Sequence, residues 1–161
     1  MSSSPLISAL GLDLGHKRIG VAGCDRLGLI AAGLTTVHRT SFEKDIAQLH
    51  QLVQSREVTV LVVGLPYTMN GEMGTQAKRT QKLAQRIGSA LALPIEYIDE
   101  RLTSVEAEGM LQAQRISPSR NRGLIDRTAA CIILQQWLDQ RRQVSMSHET
   151  IDNREHRHSI H

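Results

Sequence analysis

The stretch Ile7 to Asp25, ISALGLDLGHKRIGVAGCD, decides how the chain folds. Ile7, Leu10 and Leu12 make an apolar strand that carries one carboxylate, Asp13, near its end. Gly15 and the basic cluster His16-Lys17-Arg18 follow, and a second apolar run, Ile19 to Ala22, turns back. Strand, glycine-bearing turn and strand predict a β-hairpin. A carboxylate in such a strand loses hydration unless something pairs with it. Beside a glycine, which lets backbone and ligand approach closely, it suits a cation or a phosphate contact. The plainer alternative is a turn in which Asp13 caps local backbone groups. Convergence of further carboxylates on Asp13 decides between the two.

Beyond the hairpin, Gly28 turns the chain into a third expected strand, Leu29 to Val37. Thr40-Ser41-Phe42-Glu43 matches a capping box, and Phe42, Ile46, Leu49 and Val53 share one face of a helix ending near Arg56. Val58 to Val63 (VTVLVV) is a nearly unbroken β-branched run, the pattern of a strand covered on both faces. Three strands at hairpin spacing, a helix and a buried strand predict an α/β fold with a mixed sheet. Gly64-Leu65-Pro66 ends that strand, and Asn70-Gly71 marks a turn. Thr75 is the expected cap of a helix reaching about Leu91, with Ala77, Leu83, Ala84, Ile87 and Leu91 as its apolar stripe. Pro94 then opens a short strand, Ile95 to Ile98, which delivers Asp99-Glu100-Arg101.

A second capping box, Thr103 to Glu106, predicts a helix to about Gln114, and the basic, proline-broken piece Arg115 to Gly123 an exposed, mobile loop. In the last expected helix, Leu124 to Gln140, residues Asp126, Ala129, Ala130, Ile133 and Trp137 fall on one face. Asp126 therefore heads the stripe that packs on the sheet. Residues 1–141 are expected to form one domain. Residues 142–161 read as a polar, histidine-rich tail, expected to be disordered, with metal scavenging by its histidines as the alternative.

Composition narrows the function. One Phe, two Tyr and one Trp in 161 residues argue against single-strand binding by base stacking, which needs several exposed rings. A net charge of +3 permits an anionic partner without requiring one. Cys24 and Cys131, far apart and set among apolar residues, read as reduced core thiols. No apolar run has membrane-spanning length, and the N-terminus lacks the basic region of a signal peptide, so a cytoplasmic location without membrane contact is expected.

Three acidic positions stand out: Asp13 at the end of the first strand, Asp99/Glu100 at the end of a later one, and Asp126 at the head of the last helix. Parallel strands of one sheet present their carboxyl ends at one edge, where α/β proteins place their sites. Carboxylates gathered there cannot all stay ionised without a counter-charge. A hard cation such as Mg²⁺ relieves that cost and shares substrate phosphates. Two such cations about 3.5–4 Å apart suit in-line phosphodiester hydrolysis. Taken singly, each acid is equally well a cap or a surface charge.

The segments GLDLGHKRIGVAGCD, VVGLPYTMNGEMGTQA, IDERLTSVEAEGML and IDRTAACIILQQWL resemble, in order and spacing, the YqgF family, also called RuvX or Holliday-junction-resolvase-like. That family is described as nucleases of pre-16S ribosomal RNA, and the resemblance covers about Leu6 to Leu138. It implies an RNase H-like fold, a five-stranded mixed sheet flanked by helices. It also implies catalytic, metal-binding carboxylates at Asp13, Glu100 and Asp126, with Asp99 the weaker choice in its motif. Mg²⁺ (or Mn²⁺) is the implied cofactor, and a metal-activated water the attacker. Two departures are small: Cys24 stands where serine is common, and Arg122 where lysine is frequent.

Lys17, Arg18, Arg101 and Arg122 are the expected nucleic-acid contacts. For Arg101 an ion pair with Asp99 or Glu100 is the alternative, and for Arg122 stabilisation of the transferring phosphoryl group stands beside a solvated loop charge. The basic loop around Arg115 and Arg120 reads as a nucleic-acid lid or a solvated segment, and the glycines of Gly71-Glu72-Met73-Gly74 as a phosphate approach or a plain loop.

The resemblance thus implies processing of the 5′ region of precursor small-subunit ribosomal RNA in ribosome biogenesis, by a monomer or homodimer. Resolution of a four-way DNA junction is the alternative within the same chemistry, and needs a dimer. An actin-like kinase or ATPase shares the Asp-x-Gly hairpin but requires two related domains, for which this chain has no room. A non-catalytic nucleic-acid-binding or transcription factor leaves the three acids without a purpose.

Overall fold

The computed structural model describes residues 7–66, 71–99 and 125–142. Strands β1 (Ala9–Leu14) and β2 (Arg18–Cys24) form the expected hairpin, and β3 (Ala31–His38) adds antiparallel to β2. Helix α1 (Phe42–Arg56) crosses over to β4 (Val60–Leu65), which lies parallel to β1. Helix α2 (Thr75–Leu91) leads to β5 (Ile95–Asp99), parallel to β4, and residues 125–142 form a last helix, α3. The result is a five-stranded mixed sheet in the order β3-β2-β1-β4-β5.

Strand periodicity sorts the side chains onto two faces. Leu10, Leu12, Ile19, Val21, Leu61 and Val63 point to one face and pack against Leu49 of α1 and Ala84, Ile87 and Leu91 of α2. Ala9, Ala22 and Val62 point to the other and meet Ala130, Ile133, Leu134, Trp137 and Leu138 of α3. The Trp137 indole Nε1 donates to the Glu96 carboxylate of β5, tying α3 to the outer parallel strand.

The structure moves several boundaries. β3 begins at Ala31, two residues later than its apolar run suggests. Asp25 explains the shift: its Oδ1 accepts the amides of Leu29 at 2.7 Å and Ile30 at 2.9 Å, closing a loop that leaves both side chains exposed. The Ile30 amide foremost, with that of Leu29, holds the Asp25 carboxyl below its ordinary value. The cap of α1 is Ser41, one residue past Thr40, and its side chain accepts from the Lys44 amide. Buried Asp45, in the first turn, accepts the amide of Thr40, the residue before the cap, with its Oδ1 at 3.2 Å. In α2 the cap position falls to Gly74, and Thr75 is the first helical residue.

Cys24 and Cys131 are free thiols. Cys131 donates to the Ala31 carbonyl at 3.2 Å, and burial pushes its thiol pKa up. Among the described residues no helix is long and apolar enough to cross a membrane. The helix expected from Thr103, the loop Arg115 to Gly123 and the tail beyond residue 142 lie outside the described residues.

Candidate active site

Because β1, β4 and β5 run parallel, their last residues, Leu14, Leu65 and Asp99, lie along one sheet edge. Asp13 reaches this edge from β1 and pairs across the hairpin with Gly20. Directly opposed residues of an antiparallel pair share a face. The face of Gly20 is set by its neighbour: a Cβ there would stand 2.0 Å from the Asp126 carbonyl oxygen and 2.3 Å from its carbon. Asp13 therefore projects on the α3 face, beside the turn of helix that carries Asp126.

Glycine makes that approach possible. At Gly11, two residues before Asp13 on the same face, a Cβ would lie 2.7 Å from the Ala130 carbonyl oxygen. With side chains absent at both positions, the backbone of α3 settles directly on β1 and β2. This lays the turn of α3 that carries Asp126 against the strand pair that carries Asp13, two residues separated by most of the chain.

Asp126 is partly buried and holds a counter-charge. Arg18, which opens β2, donates from Nε to Asp126 Oδ2 at 2.8 Å, with the two side chains 23% and 21% exposed. The hairpin turn beside it is pinned by Arg39, whose Nη1 donates to the Gly15 carbonyl at 2.8 Å and whose amide donates to the Lys17 carbonyl at 2.9 Å. Lys17 is exposed on that turn, one residue from the ion pair.

Asp99 falls elsewhere. On β5, Glu96 bonds α3 and Ile98 packs against it, while Ile95 and Tyr97 join the opposite core. Strand alternation therefore directs Asp99 to the α1/α2 face, away from Asp13 and Asp126. Glu100, Arg101 and Arg122 lie outside the described residues.

The donor chemistry at this edge fits a hard cation. Asp13 and Asp126 offer carboxylate oxygen, whereas Cys24 sits at the opposite end of the hairpin, paired with Ala31, and Cys131 bonds the Ala31 carbonyl there. Among the described residues no group of three His, Cys, Asp or Glu side chains converges as a metal site.

On the other face a groove of about 740 Å³ opens between the β1–β2 turn and α2. His16, Arg39, Arg79, Lys82 and Arg86 line it, and among the described residues its lining has no acid. The Arg86 guanidinium lies 4.1 Å from the centroid of the Phe42 ring. Sequence reasoning passed over this groove, although α2 offered a signal: TQAKRTQKLAQRIGSAL has four cations and no carboxylate. At its start, Gly74 caps the helix with no side-chain hydrogen bond, and Gly71 has a φ of 80°.

Comparison with known proteins identifies the family and the fold. The family described as "RuvX: Holliday junction resolvase" matches residues 7–140. A protein of Acaryochloris marina is 67% identical over 135 residues, covering 84% of this chain and 94% of its own length. One of Trichormus variabilis is 61% identical over 146 residues, covering 91% and 97%. Both bear the name "Putative pre-16S rRNA nuclease". Among solved structures, Thermus thermophilus RuvC in complex with a Holliday junction is similar with a TM-score of 0.50 at 12% identity, covering 84% of this chain and 95% of that one. Fowlpox virus resolvase bound to Holliday junction DNA is similar with a TM-score of 0.52 at 8% identity, covering 83% and 98%. At such identities the likeness is one of fold, and that fold is RNase H-like. On sequence and architecture together, the chain belongs to the RuvX family.

Proposed function

We propose that this protein is a metal-dependent endonuclease that hydrolyses phosphodiester bonds in precursor 16S ribosomal RNA near its 5′ end, in the cytoplasm, during ribosome biogenesis. The observation that carries the reading is the meeting of Asp13 and Asp126 on one face of the sheet edge, made possible by the missing side chain of Gly20. The names of relatives more than 60% identical to this chain supply the RNA.

Asp13, Asp126 and Glu100 are the carboxylates that hold Mg²⁺ or Mn²⁺. Glu100 is chosen over Asp99 because Asp99 belongs to the opposite face of β5. A cation held by these carboxylates would supply Lewis-acid chemistry, an acidified water and a counter-charge for the phosphoryl oxygens. The chain does the rest. β1 and α3 hold the two acids in a fixed relation, and Arg18 supports the Asp126 carboxylate until the site is loaded. Lys17, exposed on the pinned turn, contacts a flanking phosphate, and Arg101 and Arg122 supply further positive charge along the backbone. No serine or cysteine nucleophile is needed. Junction resolution is the second reading, favoured by the shared architecture with RuvC and the fowlpox virus resolvase, and it requires a two-fold dimer to cut two strands.

Cleavage of a labelled 5′-extended 16S rRNA precursor fragment and of a four-way DNA junction, each with Mg²⁺, Mn²⁺ or EDTA, tests the reading. The RNA alone is cut, EDTA stops the reaction, and Asp13→Asn and Asp126→Asn each lower the rate by about 10²–10³-fold. Cutting of the junction alone moves the assignment to a resolvase. RNA binding without cleavage, equal in wild type and both variants, overturns the catalytic site.

A further inference from the structure

Asp13 and Asp126 stand on the α3 face of the sheet, whereas a row of cations lies on the other side, along α2. Arg79, Lys82 and Arg86 follow each other at helical spacings of three and four, so they share one face of α2. The opposite stripe, Ala77, Ala84, Ile87 and Leu91, is buried against the sheet, which fixes the basic face outward. Arg39 and His16 face the same groove from the hairpin turn. Among the described residues none of the three α2 cations has a carboxylate within ion-pair distance. The Arg86 guanidinium is stacked on Phe42, which orients a planar donor without neutralising it.

We infer that this groove binds the phosphate backbone of the RNA strand that leads into the active site, with Arg79, Lys82 and Arg86 as its principal contacts and Arg39 and His16 at its mouth. The inference rests on the nuclease reading for the identity of the strand, and on the groove alone for its chemistry. From Arg79 to Arg86 the helix rises about 10 Å, the length of about three nucleotide steps of a stacked strand. Gly15, which also lines the groove, is two residues past Asp13, so a strand lying along α2 arrives at the sheet edge where the carboxylates stand. The charge also argues against a second copy of this chain as the occupant. A two-fold axis through α2 would set its cations against their own images. Cations without a carboxylate partner among the described residues, on a helix whose own sequence holds no acid, match an anionic polymer whose charges repeat.

The test is equilibrium binding of a labelled 5′-extended 16S precursor fragment in EDTA, where no cleavage is needed, followed by fluorescence anisotropy over a salt series. The variant Arg79→Gln/Lys82→Gln/Arg86→Gln is compared with Arg26→Gln/Arg141→Gln/Arg142→Gln, which removes the same charge outside the groove. The groove variant binds about a hundredfold more weakly, and its dependence of log Kd on log salt falls by about two, at about 0.7 per phosphate contact. The control variant and Arg79→Lys/Arg86→Lys stay near wild type, which separates local contact from net charge and from misfolding.

Equal loss in groove and control variants overturns the inference, as does an unchanged salt slope. A dimer in sedimentation that the groove variant dissociates reassigns the surface to self-association. Tighter retention of four-way DNA than of RNA through the same residues overturns the choice of RNA. Metal-dependent cleavage by wild type with intact binding in the groove variant leaves the nuclease standing and removes the groove. Lost binding in the groove variant of a protein that cleaves nothing does the reverse.

Discussion

The two faces of the β1–β2 hairpin are built from opposite kinds of residue. Towards α1 and α2 it presents Leu10, Leu12, Ile19 and Val21, all essentially buried and large. Towards α3 it presents Ala9, Gly11, Asp13, Gly20 and Ala22. Large side chains hold a helix at a distance and remove much apolar surface from water, which is where stability comes from. Absent side chains let a helix backbone lie on the strands and put its first carboxylate where a strand carboxylate already stands. The same strands thus stabilise on one side and assemble a site on the other. Substitutions on the two faces should separate these effects.

The largest effect on stability belongs to the first face. Leu61→Ala removes a fully buried side chain of β4 from the α1/α2 core and is expected to cost about 2–5 kcal/mol in urea denaturation. Cleavage per folded molecule should stay at the wild-type rate below the melting transition, since no carboxylate has moved. A rate that falls in step with stability would show that the two faces are not separable.

Gly20→Ala is the matching change on the second face. The new methyl would stand 2.0 Å from the Asp126 carbonyl oxygen, a backbone atom that moves only if α3 lifts. Overpacking of this kind costs about 1–3 kcal/mol, less than the cavity left by Leu61→Ala. Cleavage and Mn²⁺ affinity, however, should collapse at temperatures where the variant is fully folded, because Asp126 leaves with the helix. Retained Mn²⁺ affinity would mean that the close approach at Gly20 is not what brings the carboxylates together.

The contrast also explains what the amino-acid sequence disclosed. Elements with an unbroken period were legible: the Phe42, Ile46, Leu49 and Val53 stripe gives α1, and VTVLVV gives the strand that becomes β4. The helical spacing that put Asp126 at the head of an apolar face likewise holds, since Ala130, Ile133 and Trp137 are buried against the sheet. Local competition caused the misreadings. Leu29 and Ile30 continue an apolar run, but the Asp25 carboxylate, four and five residues back, accepts both amides and delays β3. At α1 the hydroxyls of Thr40 and Ser41 are chemically alike, and the structure caps with Ser41 while the Thr40 amide goes to buried Asp45. Long-range pairings left no trace in any window of sequence. Arg18 meets Asp126 across 108 positions, and nothing near either residue announces it. Gly11 and Gly20 carry no signal of their own in the sequence, and their purpose emerges only once α3 is laid across them.

The Arg18–Asp126 pair gives the smallest and sharpest test. At about a fifth exposed, with one well-formed hydrogen bond, it is expected to contribute no more than about 1 kcal/mol, so Arg18→Gln should leave the denaturation midpoint almost unmoved. Its influence on the site has the opposite character. A guanidinium 2.8 Å from Asp126 offsets the charge that a cation needs and occupies one of its lone pairs. Removing that charge should therefore tighten Mn²⁺ binding, as read by titration calorimetry of the substrate-free protein, while RNA affinity falls slightly through the loss of a positive charge beside the phosphates. The pairing of tighter metal and weaker RNA is the signature of a residue that holds Asp126 in reserve and then passes to the substrate. Weaker Mn²⁺ binding in Arg18→Gln would instead mean that Arg18 orients Asp126 for the metal, and that the small-residue face needs this cation as well as its glycines to build the site.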